Sequence, residues 1–182
     1  MTVRRAAAQI ENSLDLLLTL LYAPGSTGCR IEPVCGITRL QKLVFLLWKE
    51  GFCQDVPNLY NFKACDFGPR MDDLFDDLAF AEEIGLLSVT EVPSGNKYEG
   101  ADEDAFVRTF DLPVAGNVGK HKYMLTNIGN DPGGEFFEGL MQADRKAVVR
   151  VKCRFNLMPF WVLVRYVYRK YPAFACNAVL QV

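Results

Sequence analysis

The stretch that decides the fold comprises residues 68–85, which read GPRMDDLFDDLAFAEEIG. Its apolar residues recur at three- and four-residue intervals, the period of one helix face. They are Met71, Leu74, Phe75 and Leu78. Proline is favoured at the first position of a helix, where the amide it lacks would have no partner, and glycine is favoured just beyond the last position. Pro69 is therefore expected to open an amphipathic helix that ends at Gly85.

Two more helices are predicted before this stretch. The first ends at Pro24-Gly25, and its apolar residues stand at helical spacing: Ile10, Leu14, Leu17, Leu18 and Leu21. The second begins at Thr38, whose hydroxyl can form a capping box with Gln41, and ends at Gly51. Because this second helix is apolar nearly all round, we expect it to lie at the centre of the fold.

The pattern changes to extended segments directly after Gly85. Residues 86–92, 106–112 and 120–126 predict two or three antiparallel strands, separated by loops rich in Gly, Asp, Glu and Asn. A further helix is expected to begin at Asp131-Pro132 and to run toward Arg154. Residues 160–171 have the composition of a strand but the spacing of a helix, and we predict a helix there.

The order of these elements resembles a winged helix-turn-helix domain, and so does one short motif. Tyr123, Leu125, Thr126 and Gly129 are similar to the Y-x-L-T-x-x-G signature that closes the wing in many winged-helix regulators. The expected fold class is α+β, mostly helical and winged-helix-like: three helices, an antiparallel β-wing, then C-terminal helices. Residues 1–130 would form the winged-helix-like domain and 131–182 a C-terminal helical extension packed on it as one structural unit.

A second resemblance is to Panacea-type antitoxin domains, which carry an L-Q-K-L-x-F helix followed by an aromatic-Gly-Pro segment. Both features occur in the first half of the chain: Leu40, Gln41, Lys42, Leu43 and Phe45, then Phe67, Gly68 and Pro69. The tryptophan usual before the Gly-Pro is replaced here by Ala64-Cys65. This resemblance implies binding to a toxin-like protein partner.

The composition of the chain sets limits on its function. It has 182 residues and a net charge of -2, so the molecule as a whole is not a general binder of polyanions. No uncharged apolar run approaches the roughly 20 residues that span a bilayer. The cysteines form no CxxC pair, His121 is the only histidine, and motifs for phosphate loops or hydrolytic sites are absent. We expect a cytoplasmic, non-catalytic protein with no membrane span, metal or cofactor.

The predicted helix at 68–85 presents four acids on its polar side: Asp72, Asp73, Asp76 and Asp77. In a winged helix this element normally enters the DNA major groove, where phosphate attraction supplies much of the affinity. Four carboxylates facing phosphates would be repelled. Only the first two lie close enough to the helix N-terminus to be explained by the helix dipole. The four aspartates are therefore the expected partner-binding residues, with a protein as the favoured partner.

A basic cluster follows in the C-terminal part and comprises Arg145, Lys146, Arg150, Lys152 and Arg154, with Arg165, Arg169 and Lys170 beyond it. Three interpretations stay open. The cluster could bind nucleic acid, with nearby tyrosines for base stacking, and the chain would then be a DNA-binding transcriptional regulator. It could be the solvated face of two helices. It could also pair with the acidic helix of a second copy, making a homo-oligomer.

Overall fold

The computed structural model describes residues 10–51, 59–65, 68–92 and 120–176. The helices are α1 (Ser13–Tyr22), α2 (Ile37–Glu50), α3 (Asp73–Glu83), α4 (Asn127–Gly139), α5 (Gln142–Phe155) and α6 (Phe160–Lys170), followed by a 3-10 turn at Pro172–Phe174. The strands are β1 (Val34–Cys35), β2 (Lys63–Cys65), β3 (Gly68–Arg70), β4 (Leu87–Val92) and β5 (Lys120–Leu125). The predicted class, α+β and mostly helical, is confirmed.

The described residues also form two small antiparallel sheets. In the larger sheet the strand order is β1-β5-β4, so the short strand between α1 and α2 pairs with the second strand of the β4–β5 pair. The smaller sheet contains β2 and β3. The strands predicted at 86–92 and 120–126 are confirmed, whereas the one predicted at 106–112 lies outside the described residues.

The hydrophobic core is built around α2, as its sequence predicts. Every residue from Leu43 to Leu47 is fully buried, and α1 contributes a second buried run from Leu16 to Leu21. The C-terminal helices complete the enclosure, because α5 and α6 both pack against α2 while α4 packs against α1. In the part of the chain that the structure describes, no helix has both the length and the apolarity required to cross a bilayer.

Two predicted helix starts in the first half are wrong. Pro69 does not open α3; it lies in β3 opposite Ala64, and the helix begins only at Asp73. The capping box of Thr38 with Gln41 does not form either, because α2 begins at Ile37. In both places pairing between strands sets the boundary. The amide of Gly36, for example, donates to the carbonyl of His121 at 2.8 Å, so the chain leaves β1 and enters α2 one residue before Thr38.

The second half contains one more wrong start. The helix expected at Asp131-Pro132 begins earlier, at Asn127, because the Thr126 hydroxyl accepts a hydrogen bond from the amide of Gly129 at 3.1 Å and caps it. Pro132 thus lies inside α4, and the boundary drawn between residues 130 and 131 falls within that helix. The helix also stops at Gly139, and a separate α5 carries the chain to Phe155. The helix predicted at 160–171 is confirmed.

Candidate functional site

The four aspartates around α3 lie in three different environments. Asp72 is exposed and forms ion pairs with Arg70 at 2.9 Å and Lys63 at 3.4 Å, which ties it to the β2–β3 hairpin. Asp77 is half-buried and accepts a hydrogen bond from the Tyr60 hydroxyl at 2.8 Å. Burial, and then the charge of Asp77, raise the pKa of Tyr60 well above its usual value. Both aspartates therefore have structural partners.

Asp73 and Asp76, in contrast, point outward. Both are exposed, and neither accepts a hydrogen bond or forms an ion pair within the described part of the chain. They stand three residues apart and so share one side of α3. Of the four aspartates expected to bind a partner, these two are the ones free to do so.

The same helix exposes large apolar side chains. Phe75 is 42% exposed, Phe80 51% and Ile84 45%, and the neighbouring Ile128 at the start of α4 is 65% exposed. The prediction that Phe75 faces inward is wrong, because the buried stripe of α3 is formed by Leu74, Leu78 and Ala81. These exposed residues were missed by sequence reasoning, which treated the outward side of the helix as purely acidic.

We call this surface the α3 face. It comprises Asp73, Asp76, Phe80, Glu83, Ile84 and Ile128. Phe75 lies on the other flank of α3, where its ring is 5.8 Å from the guanidinium of Arg70. The helix α3 itself, from Asp73 to Glu83, contains five carboxylates and no basic side chain. Large exposed apolar side chains grouped on one element are a feature of protein interaction sites, whereas a solvated helix face normally has few of them. The combination supports contact with a partner that is both basic and apolar.

The basic cluster is divided as well, and the prediction that Lys152 lies on a nucleic-acid surface is wrong. Its side chain is fully buried, and Nζ donates to the carbonyl oxygens of Leu21 at 2.8 Å and Ala23 at 2.7 Å. These carbonyls lie at the C-terminal end of α1, where backbone acceptors have no helical donor. Burial lowers the pKa of Lys152 to about 7, although the nearby Glu32 carboxylate opposes this. Lys152 therefore joins α5 to the end of α1.

The remaining basic residues of α5 form an exposed row. Lys146, Arg150 and Arg154 stand at four-residue intervals on one side of the helix, and we call them the α5 stripe. Arg150 donates to the carbonyl of Glu50 at 3.3 Å, and the Arg154 guanidinium lies 5.0 Å from the ring of Tyr166. The fifth predicted residue, Arg145, is half-buried and forms an ion pair with Glu138 at 2.8 Å.

The tyrosines of the C-terminal region are anchored rather than free for stacking. Tyr168 is buried, and the hydroxyls of Tyr166 and Tyr171 donate to Oε1 of Glu50 at 2.8 and 3.0 Å. Lys170 approaches the same oxygen at 3.0 Å. Burial and the Glu50 carboxylate raise the pKa of Tyr171 to about 12, so its hydroxyl stays protonated at neutral pH.

Three of the residues that carry the Panacea-type resemblance contact one another or α6 inside the fold. Nζ of Lys42 donates to the carbonyl of Pro69 at 3.0 Å, so the L-Q-K-L helix directly contacts the Gly-Pro segment. Gly68 has φ +84°, and a Cβ there would lie 2.7 Å from the ring of Tyr168. Glycine is thus required for both its conformation and its close contact with α6. Lys42, Gly68 and Pro69 therefore have internal structural roles.

The Tyr123-Leu125-Thr126-Gly129 signature is also internal. The Thr126 hydroxyl donates to the carbonyl of Gly85 at 2.6 Å, and its amide donates to the carbonyl of Leu86 at 3.0 Å. Gly129 lies directly against that Leu86 carbonyl, where a Cβ would collide. These contacts fix the end of α3 against the start of α4 and so set the position of Ile128 on the α3 face.

No model of a protein family matches this chain. No curated protein matches its sequence either. The assignment of a function therefore depends on the two surfaces described above.

Proposed function

We propose that this chain is a non-catalytic, winged-helix-type regulatory or adaptor protein that binds a protein partner, in the manner of an antitoxin, through the α3 face. The element order supports the winged-helix part of the proposal. A helix, a strand, a helix and the β2–β3 hairpin lead to α3, and β4 and β5 follow, with β5 pairing back to the strand between α1 and α2. In helix-turn-helix domains, the helix equivalent to α3 is the recognition helix, which contacts DNA.

The observation that carries the proposal is the coexistence of carboxylates and apolar side chains on the α3 face. Asp73 and Asp76 would be repelled by a phosphate backbone, which disfavours DNA as the ligand of this helix. Phe80 and Ile84 remain half-exposed, and full burial of such a side chain contributes about 1.5–3 kcal/mol. The expected partner is a protein segment in which Lys or Arg residues flank apolar ones.

Replacing Asp73 and Asp76 by lysine is expected to weaken binding of the cognate partner at least about 100-fold, because attraction to basic residues becomes repulsion. The chain would first be used to capture the partner from cells that produce it, and the affinity of the purified pair would then be measured by calorimetry. Glu91→Lys with Asp144→Lys is the matched control, since neither residue lies on α3 or at the start of α4 and the change in net charge is the same.

Only a difference between these two variants supports the proposal. Equal affinity of Asp73→Lys/Asp76→Lys and the control would show that the partner binds elsewhere. Phe80→Ala provides a second test that leaves the charge unaltered. It is expected to weaken binding by about 2 kcal/mol, the size typical of a central aromatic contact.

The alternative function is that of a DNA-binding regulator, and the α5 stripe is the observation that favours it. Lys146, Arg150 and Arg154 are all exposed on one side of α5, and Arg165 and Arg169 are exposed on the next helix. Such a row can follow a line of phosphates. Lys152 takes no part in this surface because it is buried.

If DNA is the ligand, the affinity for genomic fragments will fall steeply as salt is raised. Arg150→Ala with Arg154→Ala would then reduce the slope of log affinity against log salt by about 1.8, or about 0.9 for each phosphate that is no longer neutralised. Lys63→Ala with Arg70→Ala is the matched control, because these basic residues lie on the β2–β3 hairpin. Absence of a mobility shift at low salt would rule out the alternative.

A further inference from the structure

Two exposed stripes of opposite charge lie on different helices. On α3, Asp73, Asp76 and Phe80 occupy one side of the helix. On α6, Val162 is 50% exposed and shares one side with the exposed Arg165 and Arg169. Each stripe thus combines one large apolar side chain with two like charges.

The charges of both stripes lack partners within one copy. Asp73, Asp76, Arg165 and Arg169 form no ion pair and no side-chain hydrogen bond with the residues that the structure describes. Their outward position leaves them available to a second molecule. Paired carboxylate and guanidinium groups attract each other in a contact of this kind.

The spacing of the two stripes matches when the helices run in opposite directions. At 1.5 Å per residue, Asp73 lies about 10.5 Å and Asp76 about 6 Å from Phe80 along α3. On α6, Arg169 lies about 10.5 Å and Arg165 about 4.5 Å from Val162. With Phe80 placed against Val162, both aspartates therefore come opposite an arginine. If the helices ran parallel, Asp73 would come opposite Arg165 and Asp76 opposite Arg169. Phe80 and Val162 would then lie about 15 Å apart along the helices.

We propose that α3 of one copy packs antiparallel against α6 of a second copy, with Phe80 on Val162 and Asp73 and Asp76 opposite Arg169 and Arg165. This inference rests on the proposed function, because it identifies the basic and apolar partner of the α3 face as another copy of the chain. The contact joins two different surfaces, so repeating it gives either a closed ring or an open chain of molecules.

The proposal is tested by sedimentation velocity of the full chain with charge-reversed variants. At about 100 µM and low salt the wild-type chain is expected to self-associate, and raising the salt should weaken the association about tenfold or more. Asp73→Lys/Asp76→Lys and Arg165→Glu/Arg169→Glu should each sediment as monomers. Glu91→Lys/Asp144→Lys, the control with the same change in charge as the first variant, should assemble like the wild type.

Mixing the two charge-reversed variants gives the decisive result. The lysines on α3 of the first variant can then pair with the glutamates on α6 of the second. The unchanged α6 of the first variant and the unchanged α3 of the second also remain complementary. The mixture is therefore expected to assemble although neither variant does so alone. A monomeric wild-type chain, or a mixture that stays monomeric, would overturn the self-association. Neither of these outcomes affects the proposal that the α3 face binds a protein partner, because that proposal is tested separately by the affinity of the captured partner.

Discussion

Replacing Lys152 by alanine is expected to lower the free energy of unfolding by about 3 kcal/mol or more. The substitution removes a fully buried side chain and leaves the carbonyls of Leu21 and Ala23 without the donor they have in the native fold. Denaturant unfolding at neutral pH measures the effect directly.

Two variants serve as controls for Lys152. Arg150→Ala removes an exposed basic residue two positions earlier on the same helix and should change stability by less than about 0.5 kcal/mol. Lys152→Met keeps the length of the side chain without its charge. It should lower the free energy of unfolding by less than Lys152→Ala does. If the alanine variant were as stable as Arg150→Ala, Lys152 would have to be at the surface.

The pH dependence of stability gives an independent readout. Burial lowers the pKa of Lys152 from 10.5 in the unfolded chain to about 7 in the folded one, with Glu32 and Cys153 as the ionisable groups beside it. Between these two values the unfolded chain binds more protons, so this residue makes the fold more stable as the pH rises. The Lys152→Met variant should lack that rise.

Gly129→Ala is expected to have the second large effect, a destabilisation of about 3 kcal/mol. Alanine is normally favoured over glycine in a helix by about 1 kcal/mol. Here the added Cβ collides with the carbonyl of Leu86, and a backbone group cannot rotate away as a flexible side chain would. The start of α4 must therefore move off the end of α3, which disturbs the Thr126 cap as well.

Asn127→Ala is the matched control, because Asn127 is exposed in the same helical turn. It should change stability by less than about 0.5 kcal/mol in the same unfolding measurement. A Gly129→Ala variant as stable as this control would mean that the two segments are not in contact. The signature residues would then have no structural role at the junction of α3 and α4.

Elements with strong periodicity could be predicted from the sequence, because their apolar stripe is buried wherever the helix packs. The central position of α2 followed from its being apolar nearly all round, and the helical state of residues 160–171 from the spacing of their apolar side chains. Local start signals were less informative. Pro69 and Thr38 are both good helix-start residues, yet pairing of β3 with β2 and of β1 with β5 determined where α3 and α2 begin. Contacts between distant parts of the chain override such signals.

The candidate site was predictable only in part. The acids of α3 are visible in the sequence, but the partners of Asp72 and Asp77 come from a hairpin and a loop tyrosine that spacing does not reveal. The burial of Lys152 did have a signal. It lies four residues after Val148 and three before Phe155, on the apolar stripe of α5. Phe80 had a signal too, because it lies four residues after Asp76 and so on the acidic side of α3. The exposure of Ile128 depends on tertiary packing and had none.

The most direct test of binding through the α3 face is side-chain footprinting of the complex with its captured protein partner. Hydroxyl radicals oxidise exposed side chains, and mass spectrometry then compares Phe80 and Ile84 with Met141, which is 69% exposed and lies away from α3 in the sequence. We expect oxidation of Phe80 and Ile84 to fall several-fold on binding while that of Met141 is unchanged. Unaltered oxidation of Phe80 and Ile84 in a fully formed complex would contradict the proposed role of this face.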